Sequence, residues 1–394
     1  MKFKYVTLAM LMATTGGTSH AITIHEAASA ILGRNGDRMQ TELIREAKNA
    51  ETLSIANAPD PEVEGDYMVA PAGEDNRWGF GVSYGIEWPG AYGARRNMGK
   101  AMREANSAEA DAAILEKEIE ILSELEAYLY AEMRLGIMRG VMATSDSIRA
   151  VAEKSVKGGE MSRLDLSKII LEQSRVQSII AGIEAERVAT EGNLKTLNGG
   201  QSCAALLQSI DRVWDSHRLA SLDTYLANAR NNPGLLKVMR DFDVADKNVS
   251  VAKAERLPGF TVGYAHEYED GMHFNGANLG ISIPLFASRN KVKAAEAAKA
   301  AAEYQMTVST DRLESQITSL YEEVNALDKA LETPMKVFRD TDYSTLLLKA
   351  YKGGELSLAD YLSELSWFYE AHLGYMDLQY QREQKANRLL LLCK

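Results

Sequence analysis

Cysteine is nearly absent: Cys203 and Cys393 are the only two in 394 residues, which excludes a disulfide framework and a cysteine-based zinc site. Whether those two pair with each other is left open by the sequence. Proline is scarce, at eight residues, and glycine moderate, at 29, so a mainly helical protein is expected. There is no basic block, and 44 Lys+Arg stand against 55 Asp+Glu for a net charge of −11, which argues against nucleic acid as a partner. No stretch after Ala21 approaches the ~20 apolar residues that a transmembrane helix requires. Phosphate-loop, nucleophile-elbow and dinucleotide motifs are missing, and His25-Glu26 lacks the second histidine of a zinc-protease helix. No enzyme, cofactor or resident metal is therefore expected.

What is present is ample apolar content, 46% of residues, enough for a large ordered core. The first 21 residues read as an export signal. Lys2 and Lys4 precede an apolar run from Tyr5 to Thr15, and Ser19-His20-Ala21 places small residues at −3 and −1 of a cleavage site. No cysteine follows that cut, so a lipidated N-terminus is not expected.

The remainder is organised by an internal duplication. Lys157-Gly158-Gly159-Glu160-Met161-Ser162 returns as Lys352-Gly353-Gly354-Glu355-Leu356-Ser357, and Asp165 returns as Asp360. Gly85-Ile86-Glu87-Trp88-Pro89 returns as Gly280-Ile281-Ser282-Ile283-Pro284, and Asn35 matches Asn232. The halves span 22–200 and 201–394. In the first, helices are expected at 23–57, 92–156 and 162–197, with strands at 61–69 and 77–88. In the second, helices are expected at 221–255, 288–351 and 357–391, with strands at 258–268 and 274–284. Pro89 and Pro284 mark the strand-to-helix turns.

The strands have two unlike faces. Trp78, Phe80, Val82, Tyr84, Ile86 and Trp88 alternate with glycine, serine and glutamate, while Phe260, Val262 and Tyr264 oppose Thr261, Gly263 and Ala265. Trp78, Tyr84, Trp88 and Tyr264 are candidates for a lipid-facing aromatic girdle, and the small polar face suits a water-filled lumen. Four strands cannot close a barrel and open edges are not tolerated in lipid, so three chains sharing twelve strands is the expected solution. The helix at 92–156 would be about 100 Å long. It carries two seams: Ala108, Ala112, Leu115, Ile119, Leu122, Leu129 and Met133, interrupted by Glu126, and Ile114, Ile121, Leu125, Tyr128 and Leu135. Two seams imply neighbours on two sides, as in a ring of helices. The second long helix carries Leu313, Ile317, Leu320, Val324, Leu327 and Leu331, with a kink expected at Pro334. A periplasmic coiled-coil tether without a pore is the alternative, but it has no use for an aromatic strand face.

The repeated Gly-Glu-x-Ser-x-x-Asp turn is the candidate site. Gly158, Gly159, Gly353 and Gly354 can end a helix in the left-handed conformation, Ser162 and Ser357 can cap the returning helix, and Asp165 and Asp360 stand at the third helical position. Beyond shaping the turn, six such tips in a trimer would ring a tube mouth with carboxylates and favour cations. Residues 266–273, His-Glu-Tyr-Glu-Asp-Gly-Met-His, hold residue types suited to a surface metal site or to a solvated turn around Asp270-Gly271; the turn is the preferred reading.

With duplicated halves, strand pairs ending at Pro89 and Pro284, and helical hairpins bearing the Gly…Asp turn, the chain resembles the TolC-type outer-membrane factors over nearly its whole length. The resemblance implies a mainly α fold with a membrane β-barrel portion. Long antiparallel hairpins would form an α-barrel, and two β-hairpins per chain would complete a twelve-stranded barrel in a homotrimer. It implies an exit duct in a Gram-negative outer membrane with a long periplasmic extension. It also implies a periplasmic adaptor bound to an inner-membrane transporter of RND or ABC type. Gly159 and Gly354, with Gly158, Glu160, Ser162, Gly353, Glu355 and Ser357 around them, match the tips that adaptors contact. Asp360 matches the first of two entrance aspartates; the second is Ser363 here, with Glu364 beside it. Compactness is closer to the heavy-metal (CzcC-like) branch.

Overall fold

The computed structural model describes residues 22–394 apart from 72–75, 212–217, 285, 287–288 and 341–342, so the expected export signal and part of the expected 70–76 hairpin loop lie outside the described residues. The first half runs α1 (Ile24–Leu32), α2 (Gly36–Ser54), β1 (Glu62–Met68), β2 (Arg77–Ile86), α3 (Pro89–Lys157) and α4 (Arg163–Leu197). Short α5 (Ala204–Ser209) and α6 (Leu222–Asn228) lead to α7 (Pro233–Ala254), β3 (Gly259–Glu269), β4 (Met272–Ser282), α8 (Lys291–Asp340), α9 (Tyr343–Lys352) and α10 (Leu358–Leu392).

The helices expected over 23–57 and 221–255 are each divided, and for one physical reason. Asn35 accepts a hydrogen bond at its side chain from the Arg38 amide and starts α2; Asn232 does the same for the Leu235 amide and starts α7, with Pro233 at its first position. A side chain that satisfies an orphan amide starts a new helix more readily than it continues an old one. Both asparagines also reach across the fold. The Asn35 amide donates to the Leu197 carbonyl at the end of α4 (2.8 Å), and the Asn232 amide donates to the Leu392 carbonyl at the end of α10 (3.0 Å). Each therefore also satisfies a carbonyl left over at a helix end. Pro334 lies inside α8, which continues to Asp340.

At 69 residues α3 is about 100 Å long. Both of its seams are used: Leu115, Leu122 and Leu129 of one and Ile121, Leu125 and Leu135 of the other are buried. Ile121, Leu122, Leu125 and Leu129 pack with Ala27, Ala28 and Ile31 of α1 and with Leu194 and Leu197 of α4. Farther along, Leu135, Met138 and Val141 meet Val176 and Ile183 of α4. Near the tips Ile148, Ala152 and Ile169 join Leu347, Tyr361 and Leu365, so one apolar cluster ties the first hairpin to the second. Cys203 and Cys393 are both free thiols, buried in different clusters, and burial pushes the Cys393 thiol up to about 11.

Glu126 interrupts the seam and is buried all the same. The Asn387 amide donates to its Oε1 at 2.6 Å, and Asn387 Oδ1 in turn faces His25 Nε2 at 3.2 Å. Burial, together with the nearby Glu383 carboxylate, raises the Glu126 carboxyl to about 7 against the hydrogen bond that lowers it.

Candidate functional site

The four strands form one antiparallel sheet in the order β1-β2-β3-β4, with the two halves joined where β2 pairs with β3. The register sorts the side chains. Trp78 stands opposite Tyr268, Phe80 opposite His266, Val82 opposite Tyr264, Tyr84 opposite Val262 and Ile86 opposite Phe260. Val63 and Tyr67 extend that face onto β1, and Leu279 and Ile281 extend it onto β4. It is apolar and left open to the outside: Val63 is 74% exposed, Leu279 83% and Ile281 67%. Trp78 stacks on Tyr268 at one end, and Trp88 packs against Phe260 at the other, 6.1 Å between ring centres. All four girdle candidates thus belong to one face.

The opposite face carries Gly79, Gly81, Gly85, Gly263 and Gly280 among charged residues. A Cβ at Gly79 would stand 2.7 Å from Asp66 Oδ1, and one at Gly263 would stand 2.9 Å from the Val82 carbonyl. Arg77 pairs with Glu267 (3.0 Å) and Glu269 (3.5 Å) on this face, which Glu62, Glu64 and Asp66 share. Among the described residues β1 pairs only with β2 and β4 only with β3, so both outer edges present unpaired backbone. Edges of this kind are templates for another chain. Among the described residues no helix is long and apolar enough to cross a membrane.

The two helical tips share a backbone. The Gly159 amide donates to the Val156 carbonyl and the Glu160 amide to the Ser155 carbonyl. In the second half the Gly354 amide donates to Tyr351 and the Glu355 amide to Ala350. Gly159 and Gly354 both have φ +78°, so both turns are Schellman motifs ending at a left-handed glycine. The returning helix is capped alike: Ser162 Oγ accepts from the Asp165 amide at 3.1 Å and Ser357 Oγ from the Asp360 amide at 3.2 Å. Each serine hydroxyl also donates to the aspartate carboxylate, at 2.7 Å and 2.6 Å. The Ser162 hydroxyl and the Lys168 ammonium hold the Asp165 carboxyl below its usual range. Asp360, Ser363 and Glu364 share one face of α10 by their three- and four-residue spacing. Glu364 accepts from the Tyr343 hydroxyl (3.2 Å), and Ser363 borders a surface groove with Lys168 and Trp367.

One cluster near the tips escaped the sequence reading. Arg175 of α4 donates to Glu370 of α10 (3.2 Å) and to Glu172 (2.7 Å), and hydrogen bonds Ser366; Ser366 donates to Glu172 at 2.9 Å. Arg175 and Glu370 occupy matched positions 195 apart, so a charge reversal between the repeats was the available signal.

No protein-family model and no curated protein matches the sequence. Solved structures do. A membrane protein from Pseudomonas aeruginosa matches with TM-score 0.80 at 15% identity, over 94% of this chain and 92% of that one. The open state of the MtrE outer membrane channel of Neisseria gonorrhoeae matches at 0.73 and 15%, over 96% and 93%. The outer membrane protein VceC of Vibrio cholerae matches at 0.72 and 16%, over 94% of each chain. Long antiparallel helical hairpins carrying a small two-faced sheet are thus the fold that this chain shares with these solved outer-membrane channels.

Proposed function

We propose that this chain is one third of a TolC-type exit duct in the outer membrane of a Gram-negative bacterium. Three four-stranded sheets would close a twelve-stranded barrel, and the helical hairpins would continue it as a tube into the periplasm. The observation that carries this reading is the sheet: one face that is apolar and aromatic except for His266, His273 and Asn275 near the hairpin end, one small and charged face, and two unpaired edges among the described residues. Such a sheet is costly in water and costly in lipid until its edges are paired, and a barrel of several chains meets both demands. The apolar face meets lipid with its girdle of Trp78, Tyr84, Trp88 and Tyr264, and the glycine-rich face lines the lumen.

The duct is passive. Its twin tips, with Gly159 and Gly354 at their turns, receive a periplasmic adaptor. Asp360, with Ser363 and Glu364, narrows the entrance and favours cations. Energy comes from an inner-membrane transporter held by that adaptor, of a type used in efflux or type I secretion, and the duct performs no covalent chemistry.

Arginine placed on the two faces tests the reading. Val82→Arg or Ile281→Arg puts a charge in lipid, at a cost of about 2–4 kcal/mol near the midplane, and is expected to block outer-membrane assembly. Ser83→Arg, one residue away on the lumen face, is expected to assemble. Equal assembly of all three variants would overturn the barrel.

A further inference from the structure

Beside the Asp270–Gly271 turn, the β3–β4 hairpin brings two histidines together. His266 stands opposite Asn275 and His273 opposite Tyr268, so the imidazoles are diagonal neighbours on the apolar face. His266 Nε2 and His273 Nδ1 are 3.2 Å apart. Two nitrogens bound to one metal ion at about 2.1 Å lie about 3.0 Å apart at a right angle and about 3.4 Å apart at the tetrahedral angle. The observed spacing falls between these.

The tautomer is arranged as well. Asn275 Oδ1 accepts from the Tyr264 hydroxyl (2.5 Å) and stands 2.8 Å from His266 Nδ1. A carbonyl oxygen can only accept, so Nδ1 carries the ring proton and Nε2 turns its lone pair toward His273. An outer-shell carbonyl that fixes a histidine this way is the usual companion of a metal-binding imidazole. Aromatic rings hold both histidines in place: His266 packs against Trp78 (5.5 Å) and Phe80 (5.2 Å), and His273 against Tyr268 (5.1 Å). The nearby carboxylates of Glu267 and Glu269 are on the opposite face with Arg77. The donors are therefore nitrogen, which suits zinc, nickel or copper(II) over magnesium or calcium.

We propose that His266 and His273 form a two-imidazole site for a borderline divalent transition-metal ion, clipping β3 to β4 at the end of the hairpin. Among the described residues no group of three or more His, Cys, Asp or Glu side chains could hold a metal ion, so the protein supplies these two imidazoles alone. This site stands apart from the duct reading and survives its failure.

Calorimetric titration of the detergent-extracted full chain with nickel or zinc chloride tests it, with magnesium and calcium as controls. One saturable ion per chain is expected, lost in His266→Ala and in His273→Ala. Asn275→Ala is expected to keep the site with affinity about 10–100-fold weaker. Copper(II) or nickel bound there lies beside Trp78, so saturable quenching of indole fluorescence accompanies the heat and shrinks in Trp78→Phe. His273 is exposed at the hairpin end, and an unchanged elution volume checks that its variant folds. Absent saturable binding, or undiminished binding by both alanine variants, would overturn the site and leave an N–H···N hydrogen bond between the rings.

Discussion

The two helical tips have the same backbone and different charges. Over 157–169 three cations face two carboxylates; over 352–364 one cation faces three. Lys168 sits 3.4 Å from Asp165, whereas the matched position beside Asp360 is Ser363. A glycine pair, a serine cap and an aspartate fix the turn by local hydrogen bonds, which leaves the neighbouring side chains free to diverge. The same freedom produced the Arg175–Glu370 link from matched positions. It also produced the buried Glu126, whose counterpart in α8 is Tyr321, packed against Tyr225. A duplicated fold keeps its turns and specialises its surfaces.

The inequality between Glu126 and its counterpart should show most strongly in stability. Its carboxyl is raised from 4.5 to about 7 in the fold, so the folded state holds the extra proton between those values. Stability from this group is present below pH 4.5 and is lost as pH rises through 7. Glu126→Gln keeps an amide oxygen for Asn387 and removes that loss. It should be more stable than the parent at pH 8 by at most about 3 kcal/mol, with the difference vanishing near pH 4. Denaturation midpoints at the two pH values decide, and a gain that does not depend on pH would contradict the assignment.

A smaller effect tests the equality of the tips. Alanine at Gly159 or Gly354 must adopt φ near +78°, at a cost of about 1–2 kcal/mol. Amide exchange in the last turns of α3 and α9 should accelerate by about 5–30-fold, by similar factors in both variants. A much larger effect at one tip would show that the turns are not equivalent. The smallest effect concerns charge. Asp360→Asn should weaken cation block of reconstituted channels more than Asp165→Asn, because Lys168 already offsets Asp165. An unchanged cation block in Asp360→Asn would remove Asp360 from the entrance.

Much of this was legible in the residues. The two-residue alternation from Trp78 to Trp88 set the strand faces, and the twin Gly-Gly-Glu-x-Ser-x-x-Asp segments gave the turns and caps. Asn35 and Asn232 could be aligned by sequence, yet their action was hidden. Each bonds a carbonyl about 160 residues away, and only the folded hairpin brings that carbonyl near. The Arg175–Glu172–Ser366–Glu370 cluster was hidden for the same reason: it depends on α4 and α10 lying side by side. The His266–His273 pairing depends on β-register, because a shift of one residue would turn one imidazole to the other face.

In the proposed duct, three chains share one barrel. The mass of the detergent-extracted protein, measured by light scattering with the detergent contribution subtracted, tests it most directly. Three chains per particle is the expected result; a monomer or dimer that stays soluble without detergent would contradict it.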